Sequence, residues 1–143
     1  MEPEHARAML LEQHRRIRAE LAACIELARR FRAGEHVVAE LQEAVGSFRS
    51  ELEVHLEAEA VLIRIVLLHT SSWGQRVITR MVDDHRDEHA ILWNHLTGSI
   101  DEVAEQLPAL ERELCTHMAS EENTFLASAV LSRDAIANAK QGG

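Results

Sequence analysis

Helix-breaking residues are scarce in this chain. Its 143 residues include only 6 Gly and 2 Pro, and few breakers favour long uninterrupted helices. Cysteine is also scarce, with only Cys24 and Cys115, and neither belongs to a CxxC or CxxCH motif. A disulfide scaffold, a thiolate zinc site and a c-type haem attachment site therefore lack their residues. We expect both cysteines to pack as small apolar side chains.

Clustered positive charge and long apolar runs are missing too. The formal net charge is −9 at pH 7, which argues against nucleic acid or an anionic membrane as a partner. No stretch approaches the roughly 18 apolar residues of a membrane span, and the first residues do not resemble a signal peptide. We expect one cytoplasmic domain over residues 1–143, with a frayed tail after about Ser132.

Four stretches carry apolar residues at alternating intervals of four and three, the pattern of a helix packed in a bundle. They cover residues 10–31, 41–66, 78–96 and 107–121. Breakers separate them: Gly34, the turn at 70–74, and a segment from Thr97 to Pro108, where Pro108 is predicted to begin the fourth helix. The pattern predicts an all-α, up-down-up-down antiparallel four-helix bundle.

Seven polar side chains interrupt these apolar seams. Buried without partners they would be very costly, because an isolated buried charge costs many kcal/mol or is neutralised by a shift in its pKa. A cation at their centre would remove that cost, so the pattern predicts a metal site inside the bundle. The predicted ligands are His14, His55, Glu59, His85, His89, His117 and Glu121.

The positions of the predicted turns place these ligands at one level. Side chains on successive antiparallel helices meet when the turn lies midway between them in sequence. The midpoint in sequence between predicted ligands of the first and second helices falls beside Gly34. The corresponding midpoint is residue 72 for the second and third helices and residue 103 for the third and fourth. We therefore expect all seven ligands to converge on one layer.

The types of ligand indicate which ions could bind. Side chains four residues apart on a helix share one face and can chelate a common centre. Imidazoles with carboxylates suit iron, while manganese, zinc and copper remain possible by ligand type. A pair of ions with roughly six coordination positions each could be bound by two bridging carboxylates, by five imidazoles and by a bridging oxide or hydroxide. These ligands would leave one coordination position open. Dioxygen, peroxide or nitric oxide could bind there.

In chain order the ligands read His, His-x3-Glu, His-x3-His and His-x3-Glu. This order resembles the hemerythrin-like (HHE cation-binding) family over about residues 5–131. The resemblance implies a non-haem di-iron centre, two iron ions with an oxo or hydroxo bridge, and Glu59 with a carboxylate of the fourth helix as bridging ligands. It implies that His85, His89 and His117 bind one iron and that His14 and His55 bind the other.

The fourth-helix motif departs from that of oxygen carriers. Dioxygen-carrying members of the family usually close with His-x4-Asp, whereas here both Glu121 and Glu122 follow His117 at suitable distances. The His-x3-Glu ending is more like members associated with peroxide decomposition, nitric oxide or iron sensing. The resemblance thus implies a small diatomic or peroxide ligand and leaves two classes open: a storage or sensing protein without catalysis, and a catalase- or peroxidase-like enzyme. No protein partner is indicated.

Two rival metal sites use some of the same residues. The HxxEH signature of zinc proteases is matched by His85-Arg86-Asp87-Glu88-His89. That hypothesis leaves the histidines of the other three helices unexplained. A ferritin-like site would need two Glu-x-x-His motifs in the bundle, and the one such spacing, Glu2 to His5, lies outside it.

Trp93 and Leu114 lie on apolar seams within about one turn of predicted ligands. They are candidates to line the open coordination position. The remaining histidines lack a chelating partner and are predicted to be solvated surface or helix-terminal groups. They are His5, His36, His69 and His95.

Overall fold

The computed structural model describes residues 1–70, 75–124 and 126–127. At 68–70 and 75–78 it describes the backbone alone. These residues form four α-helices and no strand: α1 Pro3–Arg32, α2 Val38–Thr70, α3 Gln75–Asn94 and α4 Ile100–Asn123. An all-α class with four helices is thus confirmed for this part of the chain. The predicted turn at 71–74, the side chain of His69 and the tail after Ser132 lie outside the described residues.

Gly34 ends the first helix, as predicted. Its φ of +92° is in the left-handed region, which glycine enters without a Cβ clash. The N–H groups of Gly34 and Glu35 donate to the carbonyls of Phe31 and Arg30, each at 3.1 Å. This pair of bonds is a Schellman motif, which satisfies the last carbonyls of α1, and α2 follows at Val38.

The predicted start of the fourth helix at Pro108 is wrong, because α4 begins at Ile100. Ser99 is the N-cap, and its side chain accepts a hydrogen bond from the Glu102 N–H at 3.2 Å. Asp101 and Glu102 add negative charge to the first turn, where the helix dipole favours it. Pro108 lies inside α4 and removes one backbone hydrogen bond. The Ser-x-x-Glu capping signature was the stronger start signal.

The connection between α3 and α4 is also different from the prediction. His89 lies close to the end of α3 whereas His117 lies far along α4, so the turn is not midway between them. Residues 95–99 connect the two helices. Within them Leu96 is buried, and its carbonyl accepts a hydrogen bond from Arg49 of α2.

Helix α1 packs against α2 and α4, and α3 packs against the same two helices. The buried apolar side chains form two clusters: a larger cluster with Phe48 and Leu107 at its centre, and a smaller cluster around Leu10 and Val66. The predicted ligands lie between the two clusters on every helix, and we call this zone the polar layer. It lies between Leu10 and Ile17 on α1, Leu52 and Leu62 on α2, Met81 and Leu92 on α3, and Leu114 and Leu126 around α4. No helix in the described residues is both long and apolar enough to cross a membrane.

Candidate metal centre

Two buried carboxylates form the centre of the polar layer. The first is Glu59 of α2, which is fully buried. Its oxygens lie 3.4 Å from Nε2 of His55, 2.9 Å from Nε2 of His89 and 3.6 Å from Nε2 of His117. Nε2 of His85 is 4.0 Å away. One carboxylate therefore faces imidazoles from α2, α3 and α4.

The second carboxylate is Glu121 of α4, which is 2 % exposed. Its oxygens lie 3.3 Å from Nε2 of His14 and 3.4 Å from Nε2 of His85, and they also contact Nε2 of His117. The structure thus brings all seven predicted side chains together in one layer. Their assignment as ligands is a proposal that we take up below.

A tighter group stands out within the layer. Glu59, His89, His117 and Glu121 each offer a ligand atom, and these atoms lie within 4.8 Å of one another. Nε2 of His89 is 3.2 Å from Nε2 of His117. The other three predicted side chains lie around this group and contact its carboxylates. They are His14, His55 and His85.

Within the described part of the chain, neither carboxylate receives a hydrogen bond of acceptable geometry. Both oxygens of Glu59, both oxygens of Glu121 and Nε2 of His14 are buried and make no hydrogen bond of acceptable geometry. Leaving a buried acceptor unsatisfied costs about 1–3 kcal/mol, and more for a charged group. The neighbouring imidazole nitrogens supply positive charge without saturating these oxygens. Atoms of this kind, converging within coordination range, fit a bound cation.

The pKa shifts of the same residues show that the layer favours bound positive charge. Burial lowers the pKa of His117, yet Glu121 and Glu59 outweigh it and raise the pKa to about 10. The pKa values of His14 and His85 are raised for the same reason, again against the effect of burial. Burial alone would raise the pKa of Glu121, but His117 and His14 lower it. A cation in the layer would take the place of these protons, because ligand imidazoles must be neutral.

Four of the imidazoles share one arrangement, in which Nδ1 donates a hydrogen bond outwards and Nε2 faces the carboxylates. Outer partners of this kind fix the tautomer and the ring orientation of metal-binding histidines. These outer partners could not be found from sequence spacing, because they come from other helices or from the backbone. The acceptors are Glu122 Oε2 for His14 (2.7 Å), Gln13 Oε1 for His55 (2.6 Å), the Met81 carbonyl for His85 (3.0 Å) and Glu88 Oε2 for His117 (2.9 Å).

Glu121 and Glu122 take different positions. Glu121 enters the layer, whereas Glu122 lies at its edge, where Arg18 donates to both of its oxygens at 2.8 and 2.9 Å. Arg18 and then His14 lower the pKa of Glu122. Of the two residues, Glu121 therefore faces the imidazoles of the layer, and Glu122 orients His14 from its edge.

The other residues singled out from the sequence lie outside the layer. His5 and His36 are exposed, as expected. The surface prediction for His95 is wrong in part, because its ring is half-buried between α4 side chains, with Nδ1 2.9 Å from Gln106 Oε1 and Nε2 2.7 Å from Glu113 Oε2. Leu114 is buried in the larger cluster.

Both cysteines pack against the larger cluster, Cys24 buried within it and Cys115 at its edge. Burial raises the pKa of the Cys24 thiol to about 11. The expectation that they serve as apolar packing groups agrees with these positions.

Two clefts reach the layer from either side of α3. One, of about 510 Å³, lies between α2 and α3 and is lined by Trp93 together with Glu59, His85 and His89. The other, of about 540 Å³, lies between α3 and α4 and reaches His117 and Glu121. Trp93 thus lines a cleft that reaches the layer, and its predicted place beside an open coordination position stays a prediction.

Comparison with known families shows a similarity over most of the chain. A family model described as the hemerythrin HHE cation binding domain matches residues 5–129, which confirms the resemblance inferred from the order of the motifs. No curated protein and no solved structure matches the chain.

Proposed function

The chain belongs to the hemerythrin HHE cation-binding family, and we propose that it binds two iron ions in the polar layer and a small oxidising ligand at an open position on one of them. The ligand would be dioxygen, peroxide or nitric oxide. The observation that carries the proposal is the pair of buried carboxylates, Glu59 and Glu121. Their oxygens receive no hydrogen bond of acceptable geometry from the described residues, and they face five imidazoles. Metal binding follows from the family and this cluster; the ion, the stoichiometry and the ligand are proposed.

Two ions account for the ligand set better than one. Each carboxylate lies between imidazoles of two groups: Glu59 contacts His55 and His89, and Glu121 contacts His14 and His85. A bridging position for both carboxylates is consistent with these contacts. The proposed sets are His85, His89 and His117 for one iron, His14 and His55 for the other, and Glu59 with Glu121 between them. Bound iron would supply redox chemistry and an open coordination position.

The protein's own groups would orient the ligands. The outward hydrogen bonds of Nδ1 leave Nε2 of four imidazoles facing the carboxylates. The two apolar clusters cover the layer on both sides along the helices. Together these features would hold the ligand atoms in position before an ion arrives, which lowers the ordering cost of binding.

We also propose the up-down-up-down antiparallel arrangement and a single cytoplasmic domain. The order of the clusters along the chain supports the arrangement. Helix α1 passes from the smaller cluster to the larger one, α2 from larger to smaller, α3 from smaller to larger, and α4 from larger to smaller. That alternation is what four antiparallel neighbours produce.

Among the functions of such a centre, we favour peroxide decomposition over oxygen carriage. Reversible dioxygen binding needs a dry, closed pocket. Here the His85 side chain is 18 % exposed, and the polar cleft between α3 and α4 reaches His117. We expect the reduced protein to autoxidise in air and the ferric protein to evolve oxygen from hydrogen peroxide. A stable oxygen adduct that survives repeated deoxygenation, without peroxide turnover, would favour the carrier or sensor.

The zinc protease is a weaker alternative. Its motif requires Glu88 to activate water at an ion held by His85 and His89. Instead, the Glu88 side chain is 55 % exposed and accepts a hydrogen bond from His117 of α4. Its carboxylate therefore faces another helix.

Metal analysis tests the proposed centre. Protein from iron-replete growth should contain about two irons per chain, as the ligand set allows. Glu121→Ala should lose the paired site, because it removes a bridging carboxylate, whereas Glu122→Ala should keep most of the iron. His36→Ala, at an exposed position, is the control. A content near one iron, zinc alone, or a larger loss with Glu122→Ala than with Glu121→Ala would contradict the proposed centre.

A further inference from the structure

The cleft between α2 and α3 is larger than a diatomic ligand or hydrogen peroxide needs. Its volume is about 510 Å³, within the range of roughly 300–1,000 Å³ typical of sites for small organic molecules. Its inner end is formed by Glu59, His85 and His89. The cleft therefore offers space for an organic group directly beside the polar layer.

The walls of the cleft are mainly apolar. They come from both helices, and the indole of Trp93 provides the largest flat surface. Such a lining binds the apolar body of a ligand, while a few polar groups at one end fix its orientation. The wall residues are Leu56, Ala60, Ile63, Val82, Ala90 and Trp93.

The charges along the cleft do not favour an anionic body. Glu53 and Glu57 lie along it, and Arg86 is among the described lining residues. The two acidic side chains would oppose a further negative charge in the outer part of the cleft. Glu59 at the inner end is a proposed metal ligand, so a bound cation would balance its charge. A neutral apolar body fits these surroundings.

We propose that this cleft binds a neutral organic molecule with an apolar body and one terminal hydroxyl or hydroperoxyl group. The apolar body lies against Trp93, and the polar end reaches Glu59 and His89. The inference deepens the proposed function and rests on it, since the polar end meets the proposed metal ligands. It extends the class of oxidising ligands from hydrogen peroxide to organic hydroperoxides.

Calorimetric titration of the iron-loaded protein tests this inference without measuring turnover. The probe is cumyl alcohol, a stable analogue of cumene hydroperoxide, and the comparison is tert-butanol, which keeps the tertiary hydroxyl but lacks the phenyl ring. We expect cumyl alcohol to bind at least about tenfold more tightly than tert-butanol, because only its ring fills the apolar cleft. Equal affinity for the two compounds, or no binding of cumyl alcohol, would overturn the inference.

Neighbouring residues provide matched variants. Ala60→Phe and Ala90→Phe place a ring inside the cleft from opposite walls and should weaken alcohol binding by about tenfold or more. Val61→Phe and Ile91→Phe make the same kind of change at adjacent positions that are 60 % exposed and do not line the cleft. They should change the affinity by less than about twofold. Equal effects of the two pairs would contradict the proposed location.

Iron content, measured on the same samples, separates this inference from the proposed function. Two irons per chain without alcohol binding would overturn the inference and leave the di-iron proposal intact. Alcohol binding that is sensitive to Ala60→Phe in protein that holds no paired iron would overturn the di-iron proposal and keep the cleft as an organic binding site.

Discussion

Gln13 and His55 show how one outer contact prepares a ligand. The amide oxygen of Gln13 lies 2.6 Å from Nδ1 of His55 and accepts a hydrogen bond from it. Nε2 then faces Glu59 at 3.4 Å. Burial lowers the pKa of His55 to about 4, so its ring is neutral at neutral pH. This imidazole needs no deprotonation to bind an ion, in contrast to His117.

Replacing Gln13 tests that contact. Gln13→Leu removes the acceptor and should lower iron affinity by about tenfold or more, as is usual when the outer partner of a ligand histidine is lost. Gln13→Glu retains an acceptor and should keep most of the affinity. Competition with a chelator measures both, and Glu12→Leu, at the exposed neighbouring position, is the control. Unchanged affinity in Gln13→Leu would show that the hydrogen bond does not orient His55.

The seven inward side chains could be predicted because the signal is local. A His or Glu on an apolar seam, repeated after four residues, is visible within one helix. The choice between Glu121 and Glu122 is different, since it depends on Arg18 of another helix, which holds Glu122 at the edge of the layer. Gln13 and Glu88 could not be predicted for the same reason: each contacts a histidine of a different helix.

At the scale of the elements, two glycines have opposite roles. Gly34 has φ +92°, a conformation that a side chain strains, whereas Gly46 lies inside α2 with open space around its Cβ position. Gly46→Ala should stabilise the protein by about 0.5–1 kcal/mol, since alanine is the better helix former. Gly34→Ala should destabilise it by about 1 kcal/mol.

Urea denaturation of the iron-loaded variants measures both effects. Because the same substitution is made twice, differences in side-chain volume cancel. A stabilising Gly34→Ala would show that the Schellman turn after α1 does not require a left-handed residue.

The number of helices and the end of α1 could be predicted because apolar periodicity and Gly34 are strong local signals. The start of α4 could not be predicted from Pro108, because a proline is tolerated inside a helix when capping and packing compensate for it. Ser99 supplies the cap, and Leu107 and Leu110 continue the buried seam on either side of the ring. His117 lies in the polar layer as predicted, but the turn that was expected midway between His89 and His117 is absent. Residues 95–99 connect α3 and α4 instead.

At the scale of the whole molecule, the polar layer separates the two apolar clusters. Without an ion, the buried carboxylates of the layer face only imidazole nitrogens, and the outer hydrogen bonds of the histidines do not reach them. An ion that binds the folded state alone stabilises it by linkage. Removing iron with a chelator should therefore lower the free energy of unfolding by at least about 3 kcal/mol.

Thermal unfolding of the iron-loaded and chelated forms measures this difference. His36→Ala should show the same gap as the unmodified protein, because His36 is exposed and outside the layer. His89→Ala should show a much smaller gap. Equal midpoints for the loaded and chelated protein would show that the layer does not bind the ion.

The apolar clusters on both sides of the layer also set its dielectric environment. Water screens a surface carboxylate strongly, but Glu59 and Glu121 are 0 % and 2 % exposed, and in such surroundings their charges act over several ångströms with little loss. In the proposed centre these two negative charges would favour the more highly charged state of a cation held between them. We expect the pair of carboxylates to hold the reduction potential of a bound ion below the value it would have in the same apolar surroundings without them, so that a correspondingly strong electron donor would be needed.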